Sequence, residues 1–156
     1  MGKTNVMRLL DAAGIPYEAM FYDPGITNGE EVAKALGEDP ECVFKTLVAE
    51  NDKKEHFVFV VPVTGELDLK KAAKASLSKS ISMIHQKELL PLTGYVHGGC
   101  SPIGMKKAFP TYIGEAAQLF DHIYVSAGKR GAQVKVSPTD LCRYVGASFA
   151  DLSAER

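Results

Sequence analysis

Residues 4–13, TNVMRLLDAA, place apolar side chains at Val6, Leu9, Leu10 and Ala13. This i, i+3, i+4, i+7 spacing predicts an amphipathic helix, capped by Thr4 or Asn5 and ended by Gly14. The aromatic-rich stretch IPYEAMFYDPG reads as a strand up to its Pro-Gly break. A second helix is predicted over TNGEEVAKALG, where Thr27 followed three residues later by Glu30 makes a capping-box signature and Gly37 is the stop. Two strand-like runs come next, CVFKTLVAE at 42–50 and HFVFVVPV at 56–63, joined by the turn NDKK. The second run is apolar on both faces, which predicts a central strand with Pro62 marking its end.

Further along, LDLKKAAKAS and HQKELLPLTG read as helices, and GYVHGGCSPIGMKKAFP is mostly loop. The carboxyl-terminal stretch DHIYVSAGKRGAQVKVSPTDLCRYVG predicts strand, tight connection, strand, and a helix with Ser137 as cap and Pro138 at its first position. No linker, repeat or low-complexity segment interrupts the chain, so residues 1–156 are expected to form one domain. Helices and strands are interspersed, and hairpins are expected at both ends of the chain. The expected fold class is therefore α/β, with a mixed, mostly antiparallel, barrel-like sheet and flanking helices.

One position disturbs the pattern. In an extended CVFKTLVAE, Val43, Lys45 and Leu47 share one face while Phe44, Thr46 and Val48 share the other. A lysine on an apolar face either carries its ammonium to water along its flexible stem or reaches a pocket that needs positive charge.

Composition narrows the classes. At 156 residues, 46% hydrophobic and 24% charged, the chain fits a globular domain with one core. Its longest apolar run, FVFVVPV, is too short to cross a bilayer, and MGKTNVMRLL has no signal-peptide core, so a cytoplasmic location without membrane partners is expected. Three widely spaced cysteines, Cys42, Cys100 and Cys142, form no CxxC pair and suit reduced thiols. The net charge of -1 gives no global footprint for nucleic acid, but Lys70, Lys71, Lys74 and Lys79 cluster, as do Lys106 with Lys107 and Lys129 with Arg130. Such clusters fit either phosphate contacts or solvated surface.

The loop HGGCSPIG is glycine-rich enough to bring backbone N–H groups close to an anion, yet it matches neither the Walker loop nor the dinucleotide fingerprint. Cys100 is a candidate nucleophile with His97 as its base, against the commoner role of a buried thiol. His85, His97, Cys100 and His122 lack the spacing of a metal site, and no metal or other cofactor is expected. In SAGKRG, Gly128 and Gly131 suit a tight turn, Lys129 and Arg130 project from it, and Ser126 closes the preceding strand.

Taken in order, VFKTL at 43–47, LDLKKAAKA at 67–75, TGYVHGGCSPIG at 93–104 and YVSAGKRG at 124–131 resemble the YbaK/EbsC family of aminoacyl-tRNA deacylases. The likeness runs from IPYE to the final SPTDL helix. It implies a mixed barrel-like sheet and a trans-editing enzyme that removes cysteine wrongly attached to proline tRNA, acting alongside prolyl-tRNA synthetase, as a monomer or weak homodimer. The family mechanism uses the substrate's own thiol against its ester. By residue matching, Lys45 is the implied catalytic residue. Tyr22, Gly98, Gly99, Ser101, Pro102, Gly104 and Ser126 are implied substrate contacts, and Lys129 and Arg130 candidate phosphate contacts. Asn28 replaces an aromatic pocket residue of some relatives and Gln133 an aspartate, while Cys100 fills the variable position of GGxSPxG. Deacylation of another small aminoacyl group such as Ala-tRNA(Pro), and a non-catalytic module that binds aminoacyl-tRNA or a synthetase, are the alternatives.

Overall fold

A computed structural model describes residues 2–154. Helix α1, Asn5–Ala13, begins at Thr4, whose side chain accepts the Met7 N–H, and ends at Gly14 in the left-handed conformation. It buries Val6, Met7 and Leu10, the stripe its periodicity predicts. Strand β1, Tyr17–Phe21, leads to α2, Gly29–Leu36. The cap of α2 is Asn28 rather than Thr27: its Oδ1 accepts the N–H groups of Glu30 at 3.0 Å and Glu31 at 3.2 Å. A one-residue shift suffices, because asparagine satisfies these orphan donors at least as well as threonine. Gly37 ends α2 as expected.

Strands β2, Phe44–Asn51, and β3, His56–Pro62, form the expected antiparallel hairpin. Asn51 holds its turn by accepting the N–H groups of Lys53 and Glu55. Helix α3, Leu69–Ala75, is capped by Asp68 and precedes β4, Ile81–Met83, and α4, Gln86–Thr93. The glycine-rich stretch after α4 is loop up to β5, Thr111–Gly114. Strands β6, Ile123–Ser126, and β7, Ala132–Val136, flank the SAGKRG connection. Helix α5, Pro138–Val145, starts on the Ser137 cap and is followed by β8, Ser148–Ala150.

The strands form two sheets, in the orders β1-β7-β6 and β4-β2-β3-β5-β8. Pairing is antiparallel except at β3–β5 and β5–β8. The sheet therefore is mixed and mostly antiparallel, but the expected barrel stops short of closing. Among the described residues, the backbone pairing between the two sheets is one isolated parallel bridge, Val43 with Tyr124, and no ladder continues it. The main core lies where α1 and α5 pack with the inner faces, around Val58, Val60, Ile113, Val125, Val134 and Leu141. Strand β3 confirms its two-sided pattern: Val58 and Val60 join this core, while Phe57, Phe59 and Val61 join a second one with Ala72 and Ala73 of α3.

Candidate active site

The Val43–Tyr124 bridge fixes where a cleft can form. Beside this bridge β2 and β6 lie close together without forming a ladder, among the described residues. A cleft of about 520 Å³ lies there, lined by Phe44, Lys45, Thr46 and Leu47 on one side and by Ser126 and Gln133 on another. Tyr22, the start of α2 and the His97–Gly98 segment complete its walls. A volume of this order suits a small ligand or one end of a larger one.

Lys45 is 30% exposed at its side chain, and its Nζ lies 3.9 Å from Glu66, itself 86% exposed. An exposed carboxylate at that distance is well screened by water, so the ammonium remains a usable positive charge in the cleft. The strand alternation explains its position. Leu47 packs on the α3 side and Phe44 and Val48 in the main core, which leaves Lys45 at the end of the face where the second core gives way to the cleft.

Two cleft-lining side chains carry buried oxygens without a hydrogen-bond partner among the described residues, Thr46 Oγ1 and Gln133 Oε1. Gln133 is only 6% exposed, and its amide nitrogen makes a long 3.5 Å contact with the Tyr22 hydroxyl. A buried, unsatisfied polar group costs roughly 1–3 kcal/mol. Both oxygens are thus placed to gain from a ligand that brings hydrogen-bond donors.

The remaining sequence candidates divide between wall and support. Tyr22, Lys45, Gly98 and Ser126 line the cleft. Ser126 Oγ accepts the Gly128 N–H at 3.2 Å, leaving its own hydrogen free to point elsewhere. Gly99, Ser101, Pro102 and Gly104 lie outside the lining. Ser101 is buried and its Oγ accepts the Ile103 N–H, which shapes the loop from within. A Cβ on Gly99 would stand 3.0 Å from the Lys129 backbone, so this glycine lets the loop press against the SAGKRG turn. Lys129 and Arg130 are exposed at that turn's tip. Sequence reasoning passed over Thr46, Glu30, Val63 and Leu89 as cleft residues. Only Thr46 carried a signal, a hydroxyl on the strand face otherwise given to Phe44 and Val48.

Cys100 also borders the cleft, but burial pushes its thiol up to about 12. A thiol held that far above neutral is protonated and a poor nucleophile. We expect Cys100→Ala to keep catalytic turnover within about threefold while costing about 1 kcal/mol of stability through lost packing. A loss of 100-fold or more in steady-state assays would restore the protein-nucleophile reading. Among the described residues, no three His, Cys, Asp or Glu side chains come together as a metal-binding group, and no helix is long and apolar enough to cross a membrane.

Comparison with known proteins agrees with this architecture. A family model described as an aminoacyl-tRNA editing domain matches residues 23–144. A protein of Enterococcus faecalis, provisionally named Cys-tRNA(Pro)/Cys-tRNA(Cys) deacylase EbsC, is 44% identical over 155 residues, covering 98% of this chain and 94% of the relative. Among solved structures, one described as a provisional trans-editing enzyme for prolyl-tRNA synthetase superposes with a TM-score of 0.86 at 24% identity, covering 99% of this chain and 100% of that one. A hypothetical protein superposes with a TM-score of 0.89 at 21% identity, covering 97% and 100%. These two structural likenesses carry the fold.

Proposed function

Because the chain belongs to the aminoacyl-tRNA editing domain family, we propose that it hydrolyses Cys-tRNA(Pro), releasing cysteine wrongly attached to proline tRNA. The observation that supports this most directly is a cleft with one ammonium, Lys45, and a bordering cysteine that stays protonated. Such a site suits a substrate that brings its own nucleophile.

In the proposed reaction the cysteinyl sulfur attacks its own ester carbonyl. A C–S bond forms, the C–O bond to the ribose breaks, and the thiol proton ends on the departing ribose oxygen. Water then opens the cyclic thioester and restores the thiol of free cysteine. The protein holds sulfur and carbonyl within reach of each other and stabilises the negative charge that develops on the carbonyl oxygen. Lys45 supplies the positive charge and the backbone of the Gly98 segment the aligned dipoles. Thr46 Oγ1 and Gln133 Oε1 would accept hydrogen bonds from the aminoacyl group, and Tyr22 and Ser126 would close around it. Lys129 and Arg130 would meet tRNA phosphates outside the cleft.

Cysteine and proline are close in size, so packing alone discriminates weakly, whereas a chemical requirement for a thiol discriminates strongly. With a net charge of -1, the chain has little long-range attraction for tRNA, which fits action beside prolyl-tRNA synthetase. Parallel deacylation assays on Cys-tRNA(Pro), Ala-tRNA(Pro) and Pro-tRNA(Pro) test the reading. We expect the cysteinyl ester to be cleaved at least roughly 100-fold faster than the other two. Equal turnover of the alanyl ester would eliminate the substrate thiol from the mechanism. No turnover of any ester would leave a binding module.

A further inference from the structure

Lys129 and Arg130 stand together at the tip of the β6–β7 connection, but only Arg130 reaches across to the cleft wall. Its Nε–H donates to the His97 carbonyl at 2.9 Å, joining segments 33 residues apart. The two segments press together around that bond. A Cβ on Gly98 would lie 3.2 Å from Arg130 Nε, and one on Gly99 would lie 3.1 Å from the Arg130 backbone nitrogen. Among the described residues no carboxylate pairs with Arg130, so this hydrogen bond is what anchors the guanidinium.

Peptide geometry gives the contact a consequence on the cleft side. A trans peptide points its carbonyl and the following N–H in opposite directions, and among the described residues there is no cis peptide. With the His97 oxygen held toward Arg130, the Gly98 N–H is turned the other way, and Gly98 lines the cleft. That N–H has no acceptor among the described residues, whereas the next one, on Gly99, donates to the Val96 carbonyl at 2.9 Å. Gly98 adopts a φ of 87°, one of many conformations open to a Gly-Gly pair, so an outside restraint is needed to select it.

We propose that Arg130 is a positioning residue whose Nε–H on the His97 carbonyl aims the free Gly98 N–H at the ester carbonyl of the bound aminoacyl group. This rests on the deacylase reading and reassigns Arg130 from phosphate contact to loop alignment. Lys129, which makes no such bond, keeps the phosphate role.

Two replacements of equal length separate the donor from the charge. Arg130→Gln places an amide N–H at the chain position of Nε without a guanidinium, while Arg130→Met places a methyl group there. The substrate is 3′-cysteinyl adenosine, an ester with no phosphate. Arg130→Met is expected to lose on the order of 10- to 100-fold in kcat with KM changed by less than about threefold, as for a misaimed oxyanion donor. Arg130→Gln is expected to stay within about threefold of the unmodified protein. Full activity of Arg130→Met on this ester, or equal impairment of the two variants, overturns the proposal, as does a defect seen only with tRNA. Should the methionine variant fail to fold, Arg130→Ala replaces it. The Gly98 amide resonance of the free protein gives a second readout: it should move in Arg130→Met and stay in Arg130→Gln. If the unmodified protein cleaves no ester, the deacylase reading fails, and the amide resonance alone decides whether Arg130 orients the loop.

Discussion

Replacing Lys45 by alanine should lower kcat/KM for Cys-tRNA(Pro) by about 100- to 1,000-fold, the range seen when a positioned charge or donor is removed from a developing oxyanion. The expectation follows from where the ammonium sits. It lines the cleft, is 30% exposed, and among the described residues has only the highly exposed Glu66 within 4.0 Å as a carboxylate partner. Stability should hardly change, by less than about 1 kcal/mol, because the ion pair is solvent-screened. Lys45→Met keeps most of the apolar stem and should be as slow as the alanine variant, which assigns the loss to charge rather than packing. Single-turnover deacylation with thermal melts of all three proteins makes the comparison. A loss of less than fivefold in Lys45→Ala would remove this residue from the centre of the mechanism.

Gly131→Ala should destabilise the fold by about 3 kcal/mol, since left-handed backbone costs an L-residue about 1–2 kcal/mol and forced overlap with fixed atoms adds about as much. Gly131 has φ 85°, and a Cβ there would stand 2.9 Å from the Tyr22 carbonyl oxygen and 3.1 Å from Pro24 Cβ. Neither is the end of a flexible side chain. Moreover, the Tyr22 N–H donates to the Gly131 carbonyl at 3.0 Å, so any shift propagates to a residue of the cleft wall. Gly37→Ala is the control. It has φ 69° with nothing near its Cβ position, and should cost only about 1 kcal/mol. Urea midpoints for both variants settle the matter, and equal midpoints would show that the Tyr22 contact yields without cost.

The elements themselves were largely legible in the chain. Caps and stops carried that information: Thr4 and Gly14 bound α1, Gly37 ends α2, and Ser137 with Pro138 opens α5. The hairpin of β2 and β3 was equally readable, and its two-sided second strand lies in the sheet interior, between β2 and β5. Strands β4, β5 and β8 were not, because each is three or four residues long and lacks a pattern of its own. They exist through partners: β5 pairs in parallel with β3, more than fifty residues earlier, and then supports β8. The same reasoning explains the unclosed barrel. Alternation predicts that strands pair but not whether the last pair forms, and here, among the described residues, an isolated bridge of Val43 with Tyr124 stands in place of a ladder.

The site divides in a similar way. Lys45 announced itself as a charge on an apolar face, and the motifs VFKTL, HGGCSPIG and SAGKRG marked the segments that surround it. Motif matching could not separate cleft wall from support, because neighbouring residues in a loop face different ways. Gly98 lines the cleft while Gly99 packs on the Lys129 backbone, and Ser126 lines it while Ser101 bonds inside its own loop. Nor could it show that Thr46 and Gln133 leave buried oxygens unpaired, or that Arg130 reaches the His97 carbonyl. The sequence by itself determined the helices, the central hairpin and the chemical identity of the residues available, since these follow from periodicity, capping and residue type acting over a few positions. Only the tertiary structure decided which of them share a cleft and which atoms are left without partners, because both depend on contacts between segments far apart in the chain.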